Sequence, residues 1–355
     1  MLRPFAVGSS SLREAAQEPG TAGRSVWARL LGWGRKRKAN RHSHSATSHL
    51  PGLRLEPLEP RFLLSADIIP FRIDMTGDAS GAHYSLKYDN LIQAVQLFDD
   101  RTGMLIDSRS AQDINFIQVV GTAANDRLTV DFAKEFLQGI EIDFEGGDGD
   151  DVLALSGGDV TDVTVTMTGD GAGAVTVNGA AGAQTIGFTG VGTISDTNAA
   201  GNRIFRDATG QGQTLRIGDN GTVGDGVSSI DAIGAGGALT YNFLHPDVTL
   251  TVDAGAGDDT FVHGGFETAL AGKILLSGGA GGDAVTGPPA NTTWSITGQD
   301  SGSVSGVSFV EVENLRGSAD NEDTFVVSAG GAISGVIDGG AGGFDSLVLE
   351  GNSDT

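Results

Sequence analysis

One short turn, Gly-Gly-x-Gly-x-Asp followed by an apolar residue, recurs along this chain and constrains its fold more than any other feature. It stands complete at residues 145–153 (EGGDGDDVL) and 277–285 (SGGAGGDAV), with Ala254 for the first Gly at 253–261 (DAGAGDDTF) and one extra residue at 338–347 (DGGAGGFDSL), and has looser relatives at 121–128 (GTAANDRL) and 317–325 (GSADNEDTF). The six fall into three pairs: Asp126 precedes Asp151 by 25 residues, Asp259 precedes Asp283 by 24, and Asp323 precedes Asp345 by 22. Both turns of the third pair carry one extra residue before the Asp, and an insertion shared by partners marks each pair as one structural unit. Spacings of this size suit one rung of a β-solenoid, which lays the two turns of a pair on one another.

The segments between the turns have the period of strands. Apolar and polar residues alternate at 163–167 (VTVTM), 175–177 (VTV) and 248–252 (VTLTV), and 347–349 (LVL) is an apolar run. An apolar strand precedes each clear turn, at 140–144, 248–252, 274–276 and 336–337. The helical period is nearly absent; 132–138 (FAKEFLQ) is the one helix candidate and is too short to alter the class. Glycine, 56 of 355 residues, is about double the usual ~7%, and it is spent in turns. The expected fold is all-β: a Gly/Asp-rich, parallel β-helix-like solenoid or stacked β-strand repeats, following a disordered basic N-terminal arm. Residues 68–160 read as a first β module with one turn pair, 161–249 as a Gly-rich β-repeat region, and 250–355 as a β module with two pairs, the turns lying on one edge.

These turns have the composition of a calcium site. Calcium takes six to eight oxygen ligands, and backbone carbonyls can be aimed at it only where the chain turns freely, which glycine allows. The candidate ligands are Gly147, Asp148, Gly149 and Asp151; Asp253, Gly255, Gly257 and Asp259; Gly279, Gly281 and Asp283; Asp323; and Asp338, Gly340, Gly342 and Asp345. Crowding Asp148, Asp150 and Asp151 without a cation costs roughly 3 kcal/mol per like-charged contact at about 5 Å and an effective dielectric of about 20. The four clear copies resemble the haemolysin-type, repeats-in-toxin calcium nonapeptide; Gly146, Gly147, Gly149, Asp151 and Leu153 match it position by position. The resemblance implies structural Ca2+ as cofactor. These copies stand singly rather than in tandem, which argues against a full β-roll.

Charge divides the chain. Residues 1–61 hold eleven Lys/Arg against four Asp/Glu, so removing their +7 from the total of −23 leaves −30 on residues 62–355. So acidic a body repels nucleic acid and attracts cations. Absence of Cys excludes disulfides, thiolate zinc sites and thiol catalysis. No stretch approaches 18 consecutive apolar residues, so no transmembrane segment is expected. Residues 1–54 read as a disordered basic region, without the apolar stretch of a standard signal peptide. Residues 55–67 contain Leu58, Glu59, Pro60, Arg61, Leu63 and Leu64, an element that resembles the Leu-Glu-Pro-Arg-x-Leu-Leu motif of very large, repeat-rich exported bacterial proteins. That resemblance implies sorting or export by a non-standard signal, and an extracellular or cell-surface location.

No nucleophile elbow, zinc helix or nucleotide loop is convincing, and His83, His245 and His263 read as isolated. The expectation is therefore a non-enzymatic, structural or adhesin-like protein with calcium as partner, alongside cell-surface or matrix polymers. The alternatives are a β-helix enzyme acting on polysaccharide through paired carboxylates, or a plain β-rich interaction module that takes no metal.

Overall fold

A computed structural model describes residues 70–351 apart from 78, 79 and 138. The basic arm and the 55–67 motif lie outside the described residues. The chain passes back and forth between two long sheets, one of fourteen strands and one of thirteen. Phe116–Val120 lies in the fourteen-strand sheet and Arg127–Asp131 in the thirteen-strand sheet; one rung later Glu141–Glu145 and Val152–Ser156 pair with them in parallel.

The Asp spacings are the rung lengths. Ile117 faces Ile142 and Leu128 faces Leu153, both offset by 25. Leu250 faces Ile274 and Phe261 faces Val285, offset by 24, while Leu315 faces Ile337 and Phe325 faces Leu347, offset by 22. A rung keeps one length through sheet, turn and sheet, so Asp lies over Asp. Alternation sends every second side chain inward, and two residues after the Asp stand Leu128, Leu153, Phe261, Val285 and Phe325, all at most 2% exposed between the sheets. Leu347, in the same place in the last strand, is 57% exposed.

The rungs are interrupted by three-stranded antiparallel meanders. One of them, His83–Asp89, Ala94–Asp99 and Met104–Ser110, belongs to the thirteen-strand sheet. The next, Asp159–Gly169, Ala172–Gly179 and Gly182–Thr189, belongs to the fourteen-strand sheet. Then Gln213–Asp219, Val227–Gly234 and Gly237–Leu244 return to the first of these sheets, and Thr293–Gly298, Ser301–Val304 and Val307–Val310 to the second. Alternation adds strands to the two faces in turn, so neither sheet outgrows the other and solenoid pairing resumes after each insertion. The boundary expected at 160 falls inside Asp159–Gly169, and the sheets run without a break through the three modules read from the sequence.

Beyond the last meander the Asp turns change edge. Turns 121–126 and 146–151 lead from the fourteen-strand to the thirteen-strand sheet, as do 254–259 and 278–283, whereas 317–323 and 339–345 lead the other way. The third pair therefore lies on the opposite edge, which corrects the single edge expected. The helix expected at 132–138 is also absent: 132–137 is a loop whose Phe132 and Phe136 meet edge to face at 5.2 Å and close the core.

The stretch without a clear turn pair is locked by a buried ion pair instead. Arg203 and Asp196 are both fully buried and bonded to one another. Arg203 also donates to Tyr241 Oη (2.9 Å), Leu244 O (2.6 Å) and Asn198 O (2.6 Å), and Asn198 N and Nδ2 each donate to Asp196 Oδ1 at 2.9 Å. Every charge in this cluster is hydrogen-bonded, the condition under which a buried pair is tolerated.

Candidate functional site: the stacked Gly/Asp turns

The turns form three stacks in which each final Asp is a ladder rung. In the first stack Ala82 N donates to Asp126 Oδ1 (2.5 Å) and Asp126 N to Asp151 Oδ1 (2.7 Å). In the second, Gln213 N donates to Asp259 Oδ1 (2.7 Å) and Asp259 N to Asp283 Oδ1 (2.8 Å). In the third, Thr292 N donates to Asp323 Oδ1 (3.0 Å) and Asp323 N to Asp345 Oδ1 (2.9 Å). The tiers are also joined by backbone, with Ala280 N on Gly255 O and Gly257 N on Ala280 O, both 2.9 Å. Asp126, Asp151, Asp259, Asp283 and Asp323 are at most 1% exposed, while Asp345 is exposed at the open end.

The second carboxylate oxygen separates the copies into two kinds. Where the turn's second residue is Thr122 or Ser318, its own N–H reaches the Asp of that turn, at Oδ2 in Asp126; Asn321 Nδ2 adds a bond to Asp323 Oδ2 at 3.1 Å. Where it is glycine, the backbone turns left-handed, with φ of 104° at Gly147, 82° at Gly255 and 91° at Gly279. In those three turns Oδ2 of Asp151, Asp259 and Asp283 is buried without a hydrogen-bond partner. A buried, unpaired carboxylate oxygen is costly, so the buried copies with glycine at the second turn position are those left electrostatically incomplete.

At Asp151 and Asp283, whose turns open on glycine where the Asp259 turn has Ala254, what faces the oxygen is more oxygen. A Cβ built on Gly146 would lie 2.5 Å from both Asp151 Oδ2 and Gly190 O; one on Gly278 would lie 2.7 Å from Asp283 Oδ2 and 1.9 Å from Glu311 O. The first glycine thus leaves a carboxylate beside a carbonyl of the next tier, with no donor between them. Among the described residues no three acidic or histidine side chains converge to hold an ion alone. A cation here must draw on backbone carbonyls and water, as a hard ion with oxygen ligands does.

Other candidate ligands lie elsewhere. Asp148 is exposed on the turn's rim. Asp253 and Asp338 end strands on the outer face, where Asp253 meets Arg206 Nε at 2.9 Å and Asp338 accepts Gly340 N at 3.0 Å. Gly149, Gly257, Gly281, Gly340 and Gly342 hold left-handed turn positions. Sequence reading missed an outer ladder, in which Asn125 Oδ1 accepts Asp150 N (3.0 Å) and Asp258 Oδ1 accepts Gly282 N (2.9 Å); its only signal is Asn or Asp just before the Asp. It also read His245 as isolated, whereas His245 Nε2 lies 2.9 Å from the buried Ser228 Oγ.

Burial acts on the acidity of these groups. It is the main cause pushing the Asp259 carboxyl up to about 6, with the charges of Asp283, Asp207 and Asp258 adding to it, and it raises Asp151 and Asp283 as well. An unfolded Asp titrates near 3.9, so between about pH 4 and 6 the folded chain keeps a proton that the unfolded chain has lost. Asp259 therefore withdraws stability as pH rises through that window. In chelator, urea melts at pH 4 and 7 should show wild type losing ground relative to Asp259→Asn at the higher pH; a constant difference would refute the shift.

No family model, curated protein or solved structure matches the chain. The fold and the ladder define its class: an all-β, two-sheet repeat solenoid. No helix among the described residues is long and apolar enough to cross a membrane.

Proposed function

We propose that this chain is a structural, adhesin-like body of an exported or cell-surface protein, stiffened by calcium at three of its Gly/Asp turns. The observation that carries the reading is the trio of buried, partnerless Oδ2 atoms on Asp151, Asp259 and Asp283, each in a turn of glycines. Calcium supplies charge neutralisation there, and the chain's own Oδ2 and carbonyl oxygens hold and orient it. Asp126 and Asp323 are served by their own backbone and take no ion. Absence of Cys and the acidic body suit a protein that meets millimolar calcium only outside the cell. The resemblance of residues 58–64 to an export motif supports the same location, and the exposed strand faces are the surface offered to matrix or cell-surface polymers.

Three ions at ten times Kd contribute about 1.4 kcal/mol each, roughly 4 kcal/mol together. For a body of this size that raises Tm by about 7 °C. The full chain is melted in chelator and in about 5–10 mM calcium at pH 7.5, beside an Asp151/Asp259/Asp283→Asn triple variant that keeps the Oδ1 acceptors. Wild type alone should gain. Equal melting of wild type in both buffers would refute the reading.

A further inference from the structure

The second stack has a top tier that carries neither Gly nor Asp. Asp283 N donates to Glu313 Oε2 at 2.8 Å, the bond made to an Asp carboxylate in every lower tier. Residues 311–313 connect Val307–Val310 to Asn314–Arg316, and Glu311 holds a left-handed φ of 57° despite its side chain. That conformation accompanies the placing of the Glu311 carbonyl oxygen against Gly278, beside the orphaned Oδ2 of Asp283, a residue with no exposed surface. The Glu311 carboxylate returns to Ser277 Oγ at 3.0 Å, and Asp258 closes the lower side through Gly282 N at 2.9 Å. The first stack has no such tier: residues 190–192 (GVG) cover Asp151 with a carbonyl from Gly190 and no carboxylate.

We propose that Glu311 and Glu313 complete a divalent-cation site with Asp283, and that this corner binds calcium more tightly than any other turn of the chain. The proposal rests on the calcium reading above and adds residues that the repeat pattern does not contain. Asp283 Oδ2 and the Glu311 carbonyl are the inner oxygens, and the two Glu carboxylates raise the negative charge around them. Affinity in oxygen sites follows the negative charge gathered at the site and the rigidity of the frame. Here the ladder bond from Asp283 N and the fixed turn at Glu311 supply rigidity. Burial, then the charges of Glu313, Asp258 and Glu311, hold the Asp283 carboxyl above its ordinary range, as expected of a corner short of positive charge.

The test is calorimetric titration of the full chain with calcium chloride, wild type against a Glu311→Gln/Glu313→Gln variant. Gln keeps an acceptor for Asp283 N, and melting both proteins in chelator checks that the ladder survives. Wild type should show one site about tenfold tighter than the rest, lost in the variant and retained in Asp151→Asn. Uniform weakening of all sites, or an unchanged isotherm, would overturn the proposal while leaving calcium binding in place. A wild type that binds no calcium would overturn both.

Discussion

Asp196→Ala should destabilise the chain by about 3–5 kcal/mol, because it strands the Arg203 guanidinium in the core with its charge unmatched. Arg203 has no exposed surface and lies against Tyr241 and over the Phe243 ring, cut off from water. Its remaining bonds to carbonyls and to Tyr241 satisfy hydrogens but not charge. The comparison is Arg206→Ala: Arg206 is 51% exposed and its partner Asp253 28%, so that loss should stay within about 1 kcal/mol. Urea unfolding of both variants decides it. A loss under about 1 kcal/mol for Asp196→Ala would mean that the ion pair does not lock the meanders together.

Gly278→Ala should cost about 3 kcal/mol, at the upper end of what overpacking does. Its φ is not left-handed, so the penalty is one of space alone: the added methyl would lie 1.9 Å from Glu311 O and 2.7 Å from Asp283 Oδ2. A backbone carbonyl on one side and the buried, ladder-bonded Asp283 side chain on the other leave little room to yield. Gly192→Ala is the control, since its nearest atom, Asp151 O, is 4.0 Å away and its φ is ordinary. Near-equal stability of the two variants would show that adjacent tiers are less tightly stacked than described.

The rung length was legible from the chain because one residue type does one job in each tier. A buried Asp that must reach the next Asp's N–H cannot drift in register, so spacings of 25, 24 and 22 in sequence reappear unchanged in the strand pairing. The meanders were not legible, because alternation such as that at 163–167 is the same for parallel and antiparallel neighbours. Asp170-Gly171 is a hairpin signal, yet it is indistinguishable by type from the many Gly/Asp solenoid turns. The change of edge was not legible either, because a Gly/Asp turn reads the same whichever sheet it leaves.

The site was half legible for a related reason. The glycines that a calcium turn requires are also those that a stacked backbone demands, so the motif alone does not separate a ligand from a turn. The difference lies in the second residue: Thr122 and Ser318 complete their own carboxylates, whereas Gly147, Gly255 and Gly279 leave theirs open. Asp253 and Asp338 look like members of the motif and instead face outward at strand ends. Glu313 belongs to the ladder although VEVEN around it shows no repeat, because the ladder needs only a carboxylate at the right height. Arg203 sits in an alternating strand and reads as a surface residue until Asp196 is seen across from it.

The most direct test of the central claim is a crystal structure of the chain grown in calcium and examined by anomalous scattering at the turn carboxylates. The account predicts ions beside Oδ2 of Asp151, Asp259 and Asp283, and none beside Asp126 or Asp323. Ions at all five, or water and bare carboxyl groups at Asp151, Asp259 and Asp283, would contradict it.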